Sequence, residues 1–384
     1  MNSHPGHGVL DRGFELQSLQ PRRVCLELAA PMVTGAATFI ERELLLITVV
    51  LQIDGQQVTG YGEAAPLAGW TGETVAGAER MLGRLDHATR FESIRDLDRA
   101  VPMLAAHPVA RFGVECGMLD ALCRHAGCTL AQALATDRGL APLDTVAVQF
   151  TTGADNAETT CRAVQAAWQA GYRCAKIKVG ACATDADLER IDRVLAQCPE
   201  MQIRLDANGA WSVAEALQML RNLPRERVEF LEQPVAPKLL HDLLARHDGH
   251  GPLIAADESC IGFDQACRLV RSGRIGAVVL KPSIVGGLLP AAHILALAAR
   301  HSVRVVLSNL MESAVGRSGI AQLAAAWPEF PGPHGLATGT WLASDLDPGG
   351  ERIENGRLAL RQSSGIGFDP EIPASAMPDA ATAR

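Results

Sequence analysis

From about residue 145 the chain repeats one pattern: a short apolar, β-branched run, a stretch with helical spacing of apolar residues, and then another run. The strand-like runs are TVAVQFT (145–151), CAKIKVG (174–180), MQIRLDAN (201–208), RVEFLEQP (227–234), PLIAADES (252–259), GAVVLKP (276–282) and VRVVLSN (303–309). Helix-like stretches such as AETTCRAVQAAWQA and LPAAHILALAARH lie between them, and Ser212 with Glu215 forms a capping box before one of them. Seven strand–helix units roughly 25 residues apart, with an eighth strand expected at HGLATGT (334–340), predict an α/β fold of the (β/α)8-barrel type. A doubly wound open sheet is the competing architecture, and the chain carries neither G-x-G-x-x-G nor G-x-x-x-x-G-K-[ST] in its favour.

The preceding part reads differently. ERELLLITVVLQI, a DG turn at 54–55 and QQVTGYGE predict a hairpin over 41–62. A Gly/Pro-rich loop, APLAGWTGET (65–74), carries Trp70. ETVAGAERMLGRL and VARFGVECGMLDALCRHAG then show helical spacing. The expected organisation is an N-terminal α+β capping domain over 1–140 and a barrel over 141–345. A C-terminal segment over 346–384 is expected to pack back on the cap, its tail PEIPASAMPDAATAR disordered.

Composition narrows the function classes. A net charge of −8 with both signs spread along 384 residues does not describe a nucleic-acid surface. The start, MNSHPGHGVLDRG, lacks the basic and apolar regions of a secretory leader, and the longest apolar run, LLLITVV (44–50), is strand-length. No membrane span is therefore expected. The ten cysteines are scattered without a C-x-x-C pair and read as reduced, core-filling thiols of a cytoplasmic protein. HPGH (4–7) and HDGH (247–250) lack zinc spacing and read as surface histidines.

The strand ends hold the chemistry. In AKIKVG, Lys176 and Lys178 are two residues apart and point the same way, because side chains alternate along a strand. The following strands end in Asp206, Glu232, Asp257 and Lys281, and the next in Ser308-Asn309. In a barrel these ends share one rim, where active sites lie. Three converging carboxylates repel one another unless a cation sits between them. Hard oxygen donors with no Cys or His beside them favour Mg²⁺ over Zn²⁺, with Mn²⁺ able to take its place. Strands two and six face each other across eight, so Lys178 and Lys281 approach from opposite sides. Lys176 beside Lys178 is expected to favour the neutral amine of Lys178 by like-charge repulsion.

These residues resemble the enolase superfamily, in its muconate-lactonising subgroup. The matching motifs are K-x-K at 176–178, DAN at 206–208, EQP at 232–234, DES at 257–259 and KP at 281–282. GYGEAAPLAGWTGET resembles the subgroup's capping strand and specificity loop, and ARFGVECGMLDAL its capping helix; the likeness covers nearly the whole chain. Lysine on strand six separates the chain from the mandelate-racemase subgroup. SNLMESAVGRSGIAQLAAAWP (308–328) and HGLATGTWLASDL (334–346) look like the o-succinylbenzoate synthases. The resemblance implies dehydration of 2-succinyl-6-hydroxy-2,4-cyclohexadiene-1-carboxylate to o-succinylbenzoate in menaquinone or phylloquinone synthesis. Racemisation of N-succinylamino acids, dipeptide epimerisation and muconate cycloisomerisation are the alternatives, and a non-catalytic ligand-binding barrel is the alternative of a different class. The implied ligands of Mg²⁺ are Asp206, Glu232 and Asp257; the implied base is Lys178, with Lys281 a cation against the ene-diolate and Lys176 beside them.

Around this centre, Asn208, Ser308, Asn309, Glu312 and Ser313 are expected to line the pocket, although Ser313 and its neighbours equally suit a helix cap. Trp70 reads either as a lid or as a packing anchor, and Glu258 as a hydrogen-bonding partner behind the metal ligands. DLD at 345–347 resembles a pair with which dipeptide epimerases hold an ammonium, but it follows an apparent helix start, so Asp345 and Asp347 read as helix-end or surface acids. The expected partner is a small-molecule carboxylate, not a nucleic acid or a membrane; the oligomeric state stays open.

Overall fold

Six of the β-branched runs form strands at Cys174–Lys178, Gln202–Asp206, Val228–Glu232, Leu253–Ala256, Ala277–Leu280 and Arg304–Leu307. With Phe150–Thr152 they make one parallel sheet of seven strands, each beside its neighbour in chain order, in a computed structural model that describes residues 6, 8–33, 38–85, 88–153 and 155–376. Helices cross between them at Ala157–Gln169, Thr184–Gln197, Val213–Asn222, Leu240–Arg246, Phe263–Arg271 and Leu288–Arg300. Each keeps an apolar stripe inward; Phe263–Arg271, for instance, buries Ala266, Cys267 and Val270. The Ser212–Glu215 capping box is present.

The eighth strand differs from expectation. Only His334 and Gly335 take its place, bridged on one side to Val148 and on the other to Ser308. His334 accepts from Gln149 N and donates to Ala147 O, while Gly335 N donates to Leu307 O. Beyond them the Gly- and Ala-rich segment turns into a short 3₁₀ stretch, Gly339–Trp341, since it lacks the branched side chains that suit a pleated surface. Arg204 completes the closure from inside. It donates to Gln149 Oε1 and to Pro333 O, pairs with Glu229 at 2.7 Å, and stacks on Phe230. The run over 145–151 is likewise not one strand. Thr145–Ala147 pairs antiparallel with Arg357–Ala359, and the chain switches into the barrel only at Phe150.

The N-terminal sheet has four strands, Gln56–Ala64, Thr38–Ile53, Phe14–Val33 and Arg90–Phe91 in spatial order. The hairpin turns at Asp54-Gly55, both at positive φ (48° and 82°). The long strand Phe14–Val33 is not apparent from sequence, because Pro21 and the adjacent arginines interrupt its alternation. Pro21 is tolerated because the strand on that side, Arg90–Phe91, pairs only with Phe14 and Glu15 and leaves the edge open at Pro21. Helix Pro108–Ala126 lies almost in contact with the sheet backbone: a Cβ on Gly62 would sit 1.9 Å from Gly113 O.

Two buried glutamates of the cap dock it onto the barrel by accepting backbone N–H groups at helix starts, where such groups lack intrahelical partners. Glu63 accepts from Ser313 N (2.8 Å) and Gly316 N (3.0 Å) at helix Ala314–Ala325. Glu115 accepts from Leu289 N (2.8 Å) at helix Leu288–Arg300. The C-terminal segment returns over the first strand: Leu346, Ile366, Ile372 and Ala376 pack with Val24, Leu26, Leu44 and Leu46. Residues 370–376 are thus ordered by apolar burial rather than disordered; 377–384, like His4 and His7 of HPGH, lie outside the described residues. Most of the cysteines are buried as expected, but Cys182 is exposed. No helix among the described residues is long and apolar enough to cross a membrane.

Candidate active site

Parallel register brings the strand-end charges side by side. Lys178 is level with Asp206, and Asp206 with Glu232. Glu232 is level with Ala255, so Asp257 stands just beyond the next strand end. Lys176 and Lys178 do project to the same side. Lys176 Nζ lies 2.8 Å from Asp206 Oδ2 and 2.8 Å from Glu232 Oε1. Lys178 Nζ reaches the same Asp206 oxygen at 2.7 Å and Asn208 Oδ1 at 2.6 Å. Asp206 therefore stands between the two ammonium groups and offsets the repulsion that their spacing alone implies. Lys281 pairs with Asp257 from the far side. Its ammonium lies 4.4 Å from the centre of the Trp70 ring, which packs against Leu67, Ile284 and Leu310.

The electrostatics are those of crowded carboxylates. Burial pushes Glu232 up to about 8, helped by the negative charges of Asp206 and Asp257 and only partly opposed by Lys176. Burial also raises Asp206, but Lys176 and Lys178 outweigh it and hold this carboxyl well below its usual range. Lys176 is raised: burial alone would lower it, and Asp206, Glu232 and Asp257 reverse the sign. Glu258 accepts from Asn208 Nδ2 at 3.0 Å and so touches Lys178 through one intermediary. Burial and Asp257 raise it, and its Oε2 is buried without a donor.

Whether this set suits Mg²⁺ is decided by its donors. Among the described residues no three His, Cys, Asp or Glu side chains stand close enough to enclose a metal ion; lysine nitrogens lie between the carboxylates instead. The donors are nonetheless all carboxylate oxygens, with Asp206, Glu232 and Asp257 buried together and Glu258 beside them at Asn208, and the negative charges of Asp206 and Asp257 add to the burial that raises Glu232. A hard cation fits this set, with Asp206, Glu232 and Asp257 as the side chains to hold it.

Other residues of the expected pocket are placed differently. Ser308 Oγ donates to Gly335 O, and Asn309 Nδ2 to Thr338 Oγ1, so both serve the barrel closure. Ser313 caps helix Ala314–Ala325 and is bound by Glu63, and Glu312 turns back to accept from Leu310 N. The strand ends at Leu307, so alternation no longer fixes which way residues 312 and 313 face. Asp345 accepts from Ala314 N and pairs with Arg317 at 2.7 Å, while the half-buried Asp347 pairs with Arg361 at 2.5 Å. Arginines thus occupy both acids.

Two contributors were missed. Gln233 accepts from Asp257 N (3.1 Å) and Ser259 N (3.0 Å) and donates to Ser259 Oγ (2.9 Å), shaping the turn that presents Asp257. The EQP motif contains it, beside the glutamate that the strand-end chemistry singles out. Arg42 donates to carbonyls of Ala65 and Pro66 in the Trp70 loop and of Leu310 and Met311 beyond strand seven. It stands between Glu41 and Glu43 at the polar start of its strand, so the local sequence reads it as one of a set of surface charges.

Residues 159–374 match the family model described as enolase C-terminal domain-like. The chain is 30% identical over 379 residues to the hydrophobic dipeptide epimerase of Citrifermentans bemidjiense, covering 94% of this chain and 100% of that protein. It is also 30% identical over 299 residues to the o-succinylbenzoate synthase of Klebsiella pneumoniae, covering 77% and 84%. The muconate lactonizing enzyme of Pseudomonas fluorescens, solved with muconolactone, superposes with a TM-score of 0.82 at 20% identity over 93% of this chain and 97% of that one. The dipeptide epimerase of Enterococcus faecalis, solved with Mg and L-Leu-L-Tyr, gives 0.81 at 22% over 92% and 99%.

Proposed function

The chain belongs to the enolase superfamily, in its muconate-lactonising subgroup, and from that premise we propose that this enzyme is an o-succinylbenzoate synthase. Its reaction is the Mg²⁺-dependent loss of water from 2-succinyl-6-hydroxy-2,4-cyclohexadiene-1-carboxylate, a step of menaquinone or phylloquinone biosynthesis. The observation that carries the reading is the pair of opposed lysines, Lys178 and Lys281, set on either side of three buried carboxylates.

Mg²⁺ held by Asp206, Glu232 and Asp257 supplies positive charge against the substrate carboxylate. Lys178, the more open arm, takes the proton from the carbon beside that carboxylate, and its ammonium then returns a proton to the hydroxyl leaving from the same face. Asn208 Oδ1 and Asp206 hold the Lys178 nitrogen in reach, and Glu258 orients Asn208. Lys281 stays cationic on the opposite face and stabilises charge that grows as the proton leaves. Trp70, Leu67, Ile284 and Leu310 offer an apolar wall suited to the cyclohexadiene ring. Aromatisation makes the step strongly downhill, so modest catalytic groups suffice beside the metal.

Dipeptide epimerisation is the second reading, favoured by the relative that is 30% identical along 94% of the chain. Against it stands the arrangement of Asp345 and Asp347, each spent on an arginine rather than open to a substrate ammonium. Assay of the purified protein with the cyclohexadiene carboxylate, an N-succinylamino acid and an L,L-dipeptide separates the readings. Dehydration at least about tenfold more efficient (kcat/KM) than either epimerisation is expected. The reverse order would overturn the assignment, and no α-proton exchange with any probe would leave a binding protein. All turnover is expected to cease in excess chelator and to return with Mg²⁺ or Mn²⁺.

A further inference from the structure

Helix Thr184–Gln197, which follows the Lys178 strand, carries a buried ion pair among Ile191, Val194 and Leu195. The side chains of Asp187 and Arg190 are 0% and 4% exposed and meet at 2.5 Å. Burying such a pair is seldom more stabilising than an apolar replacement, so its use lies in what else it binds. All of those contacts go to the loops at the strand ends. Arg190 Nη2 donates to the carbonyl of Lys178 itself (2.7 Å), and Nη1 to Asp155 O (3.1 Å). Asp187 Oδ2 accepts from Gly180 N (2.7 Å). Gly180 is at φ +83°, and a Cβ there would meet the Ala210 side chain at 2.7 Å, so the turn is also walled from the next strand.

This matters because of how Lys178 is held. Its side chain is 34% exposed, whereas that of Lys281 is 6% exposed. Packing immobilises Lys281, but the arm of Lys178 is more open, so the place of its nitrogen depends on where its backbone is fixed as well as on Asp206 and Asn208. We propose that Asp187 and Arg190 are positioning residues for Lys178, pinning the peptide groups on either side of Val179 so that the amine reaches the reacting carbon. The inference rests on reading Lys178 as a base, and it assigns to this pair an effect on one face of the site only.

The test uses the full-length protein with Mg²⁺, its Arg190→Met and Asp187→Asn variants, and the two enantiomers of an N-succinylamino acid in D₂O. One enantiomer offers its α-proton to Lys178 and the other to Lys281; Lys178→Ala and Lys281→Ala identify which. In Arg190→Met, exchange on the Lys178 face is expected to fall about 10- to 100-fold in kcat at little changed KM, since an ångström of misplacement costs up to about that much. Exchange on the Lys281 face should stay within about twofold. Asp187→Asn, which keeps an acceptor for Gly180 N, should fall less. Amide hydrogen exchange of residues 178–183, read by mass spectrometry, is expected to quicken in Arg190→Met while 203–207 stays protected. Equal loss on both faces would mean that the pair merely supports the barrel, and unchanged amide exchange over 178–183 would overturn the inference whatever the activity. If the parent exchanges neither enantiomer while the variant loosens 178–183, the reading of Lys178 as base fails and the fixing of its backbone stands.

Discussion

Lys178 and Lys281 face each other across one barrel, yet different halves of the chain build their surroundings. Among the described residues, the side chains that hydrogen-bond Lys178 come from the barrel: Asp206 and Asn208 at the amine, and Arg190 at the carbonyl. Lys281 is completed from the cap. Trp70, on the cap's loop, covers its ammonium, and Arg111 of helix Pro108–Ala126 donates to Gly286 O in the loop that follows Lys281. Glu115, one turn along that helix, then accepts from the start of the next barrel helix. One face is therefore built within the barrel, and the other depends on how the cap sits. Changes in the cap should reach the Lys281 face first, which is where a fold used for several reactions can vary substrate without disturbing the base.

The largest break in this comparison is Lys178→Ala. Dehydration and exchange on its face should fall by roughly 10³-fold or more, because no other group stands in its place. Single-turnover product formation checks it, and normal dehydration would invalidate the assignment of faces. Next comes Lys281→Arg. It keeps a cation and should retain dehydration at about a tenth to a hundredth of the parent rate, yet an arginine cannot take a proton near neutrality. Exchange of the enantiomer presented to that side should vanish, as NMR in D₂O would reveal.

Trp70→Ala sharpens the difference between cap and barrel. Removing the ring from the Lys281 ammonium and from the apolar wall should raise KM for the cyclohexadiene carboxylate about tenfold, a loss of roughly 1–2 kcal/mol. Exchange on the Lys178 face with a small N-acyl substrate should change by no more than about twofold. Comparable damage to both faces would show that the cap orders the whole rim. The smallest effect is expected from Thr129→Ala in the cap, where the hydroxyl accepts from Gln132 N at 3.1 Å in a capping box. Denaturant unfolding should register about 1 kcal/mol of lost stability, with neither face altered.

Much of the molecule was legible because two periodicities carry so far. Period-two alternation puts Lys176 with Lys178, and parallel strands level with one another put Lys178, Asp206 and Glu232 in a row; both follow from local sequence once the barrel is inferred. That reasoning stops where strands stop. Past Leu307 nothing in SNLMES says that Glu312 turns back on Leu310 N or that Ser313 binds Glu63, a residue 250 positions away, because a loop side chain goes where a donor or acceptor awaits it. The same holds for Asp345 and Asp347, decided by Arg317 and Arg361, and for the eighth strand, reduced to His334 and Gly335 because Arg204 and Gln149 finish the barrel with side chains. Sequence by itself determined the barrel, the cap and the residues that meet at the rim, since each depends on patterns a few residues long. Only the tertiary structure decided which half of the chain supports each lysine, since hydrogen bonds such as Arg190 to Lys178 O and Arg111 to Gly286 O join residues by geometry, not by period.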